Sequence, residues 1–350
     1  MSLLDEHPVL PDATPHGLID PEGRLVDDTD LPSRETLIQL YRRMVIGRRF
    51  DAQATALTKQ GRLAVYPSSH GQEACEIGGV LALRSSDWLF PTYRDTVAVV
   101  TRGVDVVEAL TLLRGSWHCG YDPHRYRVAP QCTPLATNTL HAVGLAHAAK
   151  FKGEDTVALV LLGDGATSEG DTHEALNFAA VWKAPVVFLI QNNGYAISVP
   201  LAKQTAAPSL AHKAVGYGMP GRLIDGNDAA GVYATVRAAI KSAAQGHGPT
   251  LIEAITYRIE AHTNADDASR YRDEAEVQHW LARDPITRLE KYLRSTGSVP
   301  DFSDEAEQFA SSARTRMNED PELDPAALFD SVYATPVASL QRQREEVVSS

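Results

Sequence analysis

The chain has 350 residues, 43% of them hydrophobic and 22% charged, which is the composition of a globular protein with one large or two ordinary domains. Its net charge of −12 excludes a general nucleic-acid or anionic-membrane binder, which needs a basic face, but leaves room for a small anion held by a few local donors. Three scattered cysteines (Cys75, Cys119, Cys132), no apolar run of membrane length and an acidic start at Asp5 and Glu6 without signal-peptide layout point to a reduced, cytoplasmic protein.

Residues 1–32, with Pro8, Pro11, Pro15, Pro21 and Pro32, read as an irregular arm. Ser33 is placed to cap a helix with apolar spacing at Leu37, Leu40 and Met44 that ends near Gly61. A loop, a short apolar helix and a strand or turn broken at Pro91 follow. The middle alternates strand candidates (Val157–Leu162, Val186–Gln191, a weak Arg222–Ile224, Leu251–Tyr257) with helices over Thr172–Trp182 and Ala229–Ala244. This alternation predicts an α/β fold, a largely parallel sheet flanked by helices, within residues 33–295. The Thr172–Trp182 helix is apolar nearly all round, which suggests burial on more than one side. Charged helices run from about Glu274 to Met317, and residues 296–350 read as a helical tail whose "PAALFDSVYA" suits a partner contact.

Two pieces of punctuation follow the main strands: Gly163-Asp164-Gly165 and Asn192-Asn193-Gly194, with 26 residues, 166–191, between them. That is one loop, one crossover helix and one strand. In an open parallel sheet, ligands sit beyond the carboxyl ends of the strands, so the spacing predicts that Asp164 and Asn193 converge. A carboxylate and an amide oxygen are hard ligands suited to Mg²⁺, which fills its shell with phosphate oxygens and water. The glycines let the backbone approach a bulky anion, and a helix start after Gly165 offers free N–H groups. The physical reading is a Mg²⁺-diphosphate site. Taken singly, either tripeptide is an ordinary turn. A dinucleotide fingerprint fails because four residues separate Gly165 from Gly170, and no Walker P-loop is present.

The string from Gly163 to Ser198, with "SSHGQEA", "DWLFPTYRD", "TPLATNTLHAVGLAHA" and "TYRIEAHTNADDASRYR", resembles the alpha subunits of 2-oxoacid dehydrogenases, over about Leu37 to Leu293. The resemblance implies the thiamine-diphosphate-binding fold and oxidative decarboxylation of a 2-oxoacid, with the acyl group passing to a lipoyl acyltransferase component. It implies Mg²⁺ held by Asp164, Asn193 and the Tyr195 carbonyl. Tyr93 and Arg94 are expected at the diphosphate, Leu135 at the aminopyrimidine, and Thr133 among the cofactor-binding residues. Gly163, Gly165, Ala166, Ala196 and Ile197 are expected around the cofactor, Ile197 equally as core. His262 and Tyr93 are the candidates for catalysis, His70 is a weaker one, and His141 reads as packing. A potassium site in some relatives matches Cys132, Pro134, Thr137 and Asn138. Gln191 departs from animal branched-chain relatives, which carry Arg there. The glutamate that activates the cofactor comes from a beta subunit in an α2β2 heterotetramer, and Glu73 is not its counterpart, so this chain alone is expected to be inactive.

Within that family "NNGYAIS", "SEGDTHEALNFAA" and "RYR" lean toward branched-chain 2-oxoacids over pyruvate, with acetoin behind both. A cofactor-free scaffold subunit would call for a broken metal motif, and the motif is intact.

Overall fold

The computed structural model describes residues 10–115, 119–319, 324–330 and 332–349. Asp5, Glu6 and Pro8 of the expected arm lie outside the described residues. A five-stranded sheet forms the centre, in the order β1 (Trp88–Phe90), β2 (Ala158–Gly163), β3 (Val186–Asn192), β7 (Thr250–Ile255), β6 (Gly221–Asp225), and every neighbouring pair is parallel. Between β3 and β6, a small antiparallel hairpin pairs β4 (Tyr195–Ala196) with β5 (Val199–Pro200).

The central strands read as unbroken apolar runs because both faces are covered. Leu159 and Leu161 of β2, with Val187 and Leu189 of β3, face a core that includes buried residues of the helices Arg34–Lys59, Glu73–Ala82 and Ala229–Ala244. Ala158, Val160 and Leu162 alternate to the other side, with Val186, Phe188 and Ile190, and meet the helices Thr137–Lys152 and Gly170–Trp182. The first helix starts as expected: the Ser33 hydroxyl accepts from the Thr36 N–H, and the helix ends at Lys59. The fourth strand candidate stops earlier than expected, at Ile255, so Thr256–Arg258 are already loop.

Both sheet edges are covered by a single pass of chain. His16 bridges to Ile224 on β6, with its N–H on the Leu223 carbonyl, and the buried Asp228 carboxylate accepts the N–H groups of Leu18 and Ile19. Val128 bridges to Leu89 on β1. Residues 10–32 are therefore irregular yet fastened to the body. The helix Ser303–Met317 also belongs with the body: it lies along the first helix, burying Ala306, Ala310, Ala313 and Met317, and setting Phe309 edge-on to Phe50 at 5.8 Å. Beyond it, Leu328, Val332 and Tyr333 of the "PAALFDSVYA" stretch are exposed, and Ser331 lies outside the described residues.

The Gly170–Trp182 helix buries Thr172, Ala175, Leu176 and Ala179 but leaves Phe178, Val181 and Trp182 in solvent. His147 stacks on Trp182 at 4.4 Å, and Phe178 packs against the same ring at 4.7 Å. An apolar, aromatic face thus stands without cover from the chain's own core.

Candidate cofactor and metal site

In register, Gly163 at the end of β2 lies beside Gln191 of β3, so the two strands deliver Asp164 and Asn193 to one edge of the sheet. Both line a cavity of about 210 Å³ with Gln72, Tyr93, Arg94, Leu135, Gly163, Gly165, Ala166, Glu169, Gln191, Tyr195, Ala196, Ile197, Arg258 and His262. Of the residues singled out from the sequence, Thr133 alone of the cofactor set is off this wall, exposed on the turn before Leu135. His141 is exposed, not packed, and His70 turns to Glu260, with Nδ1 at 3.0 Å from its carboxylate. Glu73 is fully buried, paired with Arg48 and accepting the Gly71 N–H, which is a structural use.

Asp164 is 2% exposed, and burial pushes its carboxyl up, opposed by the Gln204 side chain and the Asn193 N–H. Gln204 donates through Nε2 to Asp164 Oδ2 at 2.6 Å. Asn193 donates through Nδ2 to Gln72 Oε1 at 3.0 Å, Gln72 donates to Gln191 Oε1 at 3.1 Å, and Gln191 donates to the buried Asp95 at 2.6 Å. Because a carboxylate only accepts, this chain of amides has one direction, and it leaves Asn193 Oδ1 as an acceptor, which takes the Tyr195 N–H at 3.2 Å and keeps a second lone pair. Gln191 is thus spent on orienting its neighbours.

The glycines divide their work. A Cβ at Gly163 would meet nothing within 4 Å, whereas at Gly165 it would lie 2.8 Å from the Ala196 side chain. Gly165 therefore admits the hairpin, and the open space belongs to Gly163. The helix expected directly after Gly165 begins only at Gly170; a 3₁₀ turn over Gly165–Ser168 intervenes, and its N–H groups are the ones nearest the strand end.

The facing wall is cationic. Arg94 (5% exposed) and Arg258 (2% exposed) both reach His262 Nδ1, at 3.1 and 3.0 Å. Arg94 otherwise donates to the carbonyls of Ser68 and His262, and Arg258 to the Ile197 carbonyl and the Tyr271 hydroxyl. No carboxylate pairs with either among the described residues, and Arg258 Nε is buried without a partner. Two buried guanidiniums without a carboxylate leave net positive charge on this wall. Burial, then Arg94 and Arg258, lower the His262 pKa to about 4. With two cations donating to Nδ1, the ring is neutral and carries its proton on Nε2. Tyr93 packs edge-on to His262 with ring centres 6.0 Å apart.

Ile197, 55% exposed on the cavity rim, holds φ at 56°, a left-handed conformation that is an outlier for a β-branched residue. Strain of this sort persists where the surroundings enforce it, and here Arg258 grips the Ile197 carbonyl. Arg258 is the main residue that sequence reasoning missed. Its signal was positional: an arginine just past an apolar strand, on the edge that carries Asp164 and Asn193.

The carboxyl edge of this doubly covered parallel sheet gathers a carboxylate, an amide and two arginines that have no carboxylate partner among the described residues, the arrangement of an α/β protein with a ligand cavity at its strand ends. The chain belongs to the dehydrogenase E1 component family, whose model matches residues 41–324. It is similar to the 3-methyl-2-oxobutanoate dehydrogenase subunit alpha of Mycobacterium tuberculosis (strain ATCC 25618 / H37Rv), 46% identical over 96% of this chain and 94% of the relative. It is also similar to the pyruvate dehydrogenase E1 component subunit alpha of Staphylococcus aureus (strain N315), 40% identical over 80% of this chain and 76% of that protein. Family membership makes it an oxidoreductase subunit and implies thiamine-diphosphate-dependent chemistry. No described helix is long and apolar enough to cross a membrane.

Proposed function

We propose that the chain is the alpha subunit of a branched-chain 2-oxoacid dehydrogenase, acting on 3-methyl-2-oxobutanoate and its homologues with thiamine diphosphate and Mg²⁺. The substrate reading rests on the 46% identity that runs through 96% of the chain. The cofactor reading is supported by the unpaired Arg94–Arg258 pair across the cavity from Asp164 and Asn193.

The residues fit the group. Arg94 and Arg258 would hold the diphosphate, and Asp164, Asn193 Oδ1 and the Tyr195 carbonyl would hold Mg²⁺. When bound, the cofactor supplies the electron sink for decarboxylation. The chain's own residues bind and orient it, and neutral His262 offers an Nε2 proton beside Tyr93 at the cavity wall. A potassium ion, as the resemblance implies, would draw on the turn around Cys132, Pro134 and Thr137. The Asn138 nitrogen is spent on the carbonyls of Phe90, Pro91 and Leu161.

A cavity of about 210 Å³ falls short of the roughly 300–1,000 Å³ of complete small-ligand pockets. That shortfall supports a site finished by a second chain, a beta subunit in an α2β2 assembly that passes its acyl group to a lipoyl acyltransferase. The test is turnover of 3-methyl-2-oxobutanoate and of pyruvate by the chain co-purified with its beta subunit, and by the chain alone. Preference for the branched substrate and no activity alone are expected. Preference for pyruvate overturns the substrate reading, and activity without the partner overturns the divided site.

A further inference from the structure

We propose that Gln204 is a positioning residue that pins the 194–205 loop to Asp164 and fixes which carboxylate oxygen faces the cavity. This rests on the Mg²⁺-diphosphate reading of the site and goes beyond it in naming a residue outside the cavity wall. The loop folds mainly on itself: Tyr195 pairs with Pro200, Ala196 with Val199, and the Leu201 N–H donates to the Gly194 carbonyl. Gln204 closes it, with its N–H on the Leu201 carbonyl and its Nε2 on the Val199 carbonyl at 3.0 Å. The same Nε2 reaches out of the loop to Asp164 Oδ2 at 2.6 Å.

The amide can face Asp164 only through nitrogen, because a carboxylate has no proton to give. That orientation leaves Gln204 Oε1 buried with no hydrogen-bond partner among the described residues. An unsatisfied buried acceptor is tolerated here for the sake of the charge-assisted bond to Asp164. Two consequences follow. With Oδ2 held, Oδ1 is the oxygen left for a cation, which favours one-oxygen coordination and suits the strict octahedron of Mg²⁺ over the looser, often bidentate shell of Ca²⁺. The Tyr195 carbonyl and Ile197, both on the loop, are held against the end of β2 before any cation arrives. Other ties among the described residues are the Gly194 N–H on Asn192 Oδ1 at 3.0 Å, the Tyr195 N–H on Asn193 Oδ1 at 3.2 Å, the Tyr195 ring against Tyr257 and Tyr271, the Tyr195 hydroxyl on Glu276 at 2.9 Å and Arg258 on the Ile197 carbonyl at 3.1 Å, and none of them holds Asp164.

The experiment compares wild type with Gln204→Met, which keeps shape and loses the donor, and Gln204→Lys, which keeps a donor. Hydrogen exchange of the 194–205 amides is followed in the full chain without ligands. Binding of Mg²⁺ and of Ca²⁺ in the presence of thiamine diphosphate is followed by calorimetry on the αβ assembly. Loss of a hydrogen bond to a charged group predicts at least about tenfold faster exchange in Gln204→Met, with weaker Mg²⁺ binding and a narrowed Mg²⁺ over Ca²⁺ preference. Gln204→Lys is expected to keep the loop protected while its ammonium competes with the cation, so protection and Mg²⁺ affinity separate. Exchange and Mg²⁺ affinity both within about twofold of wild type in Gln204→Met overturn the proposal. Absence of cation and cofactor binding in wild type instead strikes the site reading, and the exchange measurement still decides the role of Gln204 as a pin.

Discussion

Arg94 and Arg258, from loops 164 residues apart in sequence, donate to one and the same atom, His262 Nδ1, at 3.1 and 3.0 Å. Two like charges that share one neutral acceptor repel each other, and the arrangement is stable only with an anion close by or with solvent standing in for it. Arg258→Met is expected to weaken thiamine diphosphate binding by about 10- to 100-fold, the weight of hydrogen bonds to a charged group. It also removes one of the cations that disfavour protonation of His262, so the imidazole pKa rises from about 4 toward its ordinary value. Calorimetry on the αβ assembly and NMR titration of the His262 ring check the two effects. An unmoved ring pKa counts against the shared-acceptor account.

The same histidine makes the fold acid-sensitive in a defined window. Its folded-state pKa of about 4 lies below the ordinary 6.5, so the unfolded chain takes up the proton first. The stability tied to neutral His262 is complete above pH 6.5 and is lost as pH falls through about 4. The ring is only half-buried, so the contribution after solvent screening is about 1–2 kcal/mol. Urea unfolding at pH 7 and pH 4.5 is expected to show a smaller loss of stability in His262→Asn than in wild type. An equal loss in both proteins places the acid sensitivity elsewhere.

Asp164 illustrates a site group that costs stability. Burial raises its pKa, so the folded chain holds the proton more tightly, and stability from this group falls as pH rises above the ordinary carboxylate range. At neutral pH, Asp164→Asn is expected to leave the ligand-free chain at least as stable as wild type. The same variant loses the rise in melting temperature that Mg²⁺ and thiamine diphosphate give. Thermal unfolding with and without both ligands reads the two halves of this prediction.

Val181 is 68% exposed between Phe178 and Trp182 on the outer face of the Gly170–Trp182 helix. A carboxylate there meets only water in the free chain but is desolvated in an interface. Val181→Asp is expected to fold normally and to weaken association with the beta subunit by at least about tenfold. Co-purification and sedimentation velocity test it, and an undiminished complex moves the partner surface to another face.

Much of this architecture was legible in the chain itself. Strands covered on both faces must be apolar throughout, and Leu159–Leu162 and Val186–Ile190 announce themselves for that reason. The convergence of Asp164 and Asn193 followed from loop and crossover length alone. Gln72, Gln191 and Gln204 were not readable as a set, because each acts through an amide contact with a residue between 40 and 121 positions away. Nothing local in a glutamine marks which carboxylate it will meet. Arg258 was hidden for a related reason: its role depends on the absence of a carboxylate, which only the packed structure reveals. The Thr172–Trp182 helix was read as buried on more than one side; its solvent side carries His173, Glu174 and Asn177 and, toward its end, the bare Phe178, Val181 and Trp182.

The bridges at His16 and Val128 bear on how this protein can be handled and how it fails. A parallel sheet with a bare outer strand is a template for adding strands from other molecules, and misassembly begins there. Here the chain itself occupies both templates, on β6 with residues near His16 and on β1 with residues near Val128. A deletion that reaches Leu18 and Ile19 strips β6 and takes both of their N–H groups from Asp228 Oδ2, leaving Ala230 on Oδ1. Fusion tags belong before the bridge, and a shortened variant that precipitates has lost its edge guard before it has lost its core.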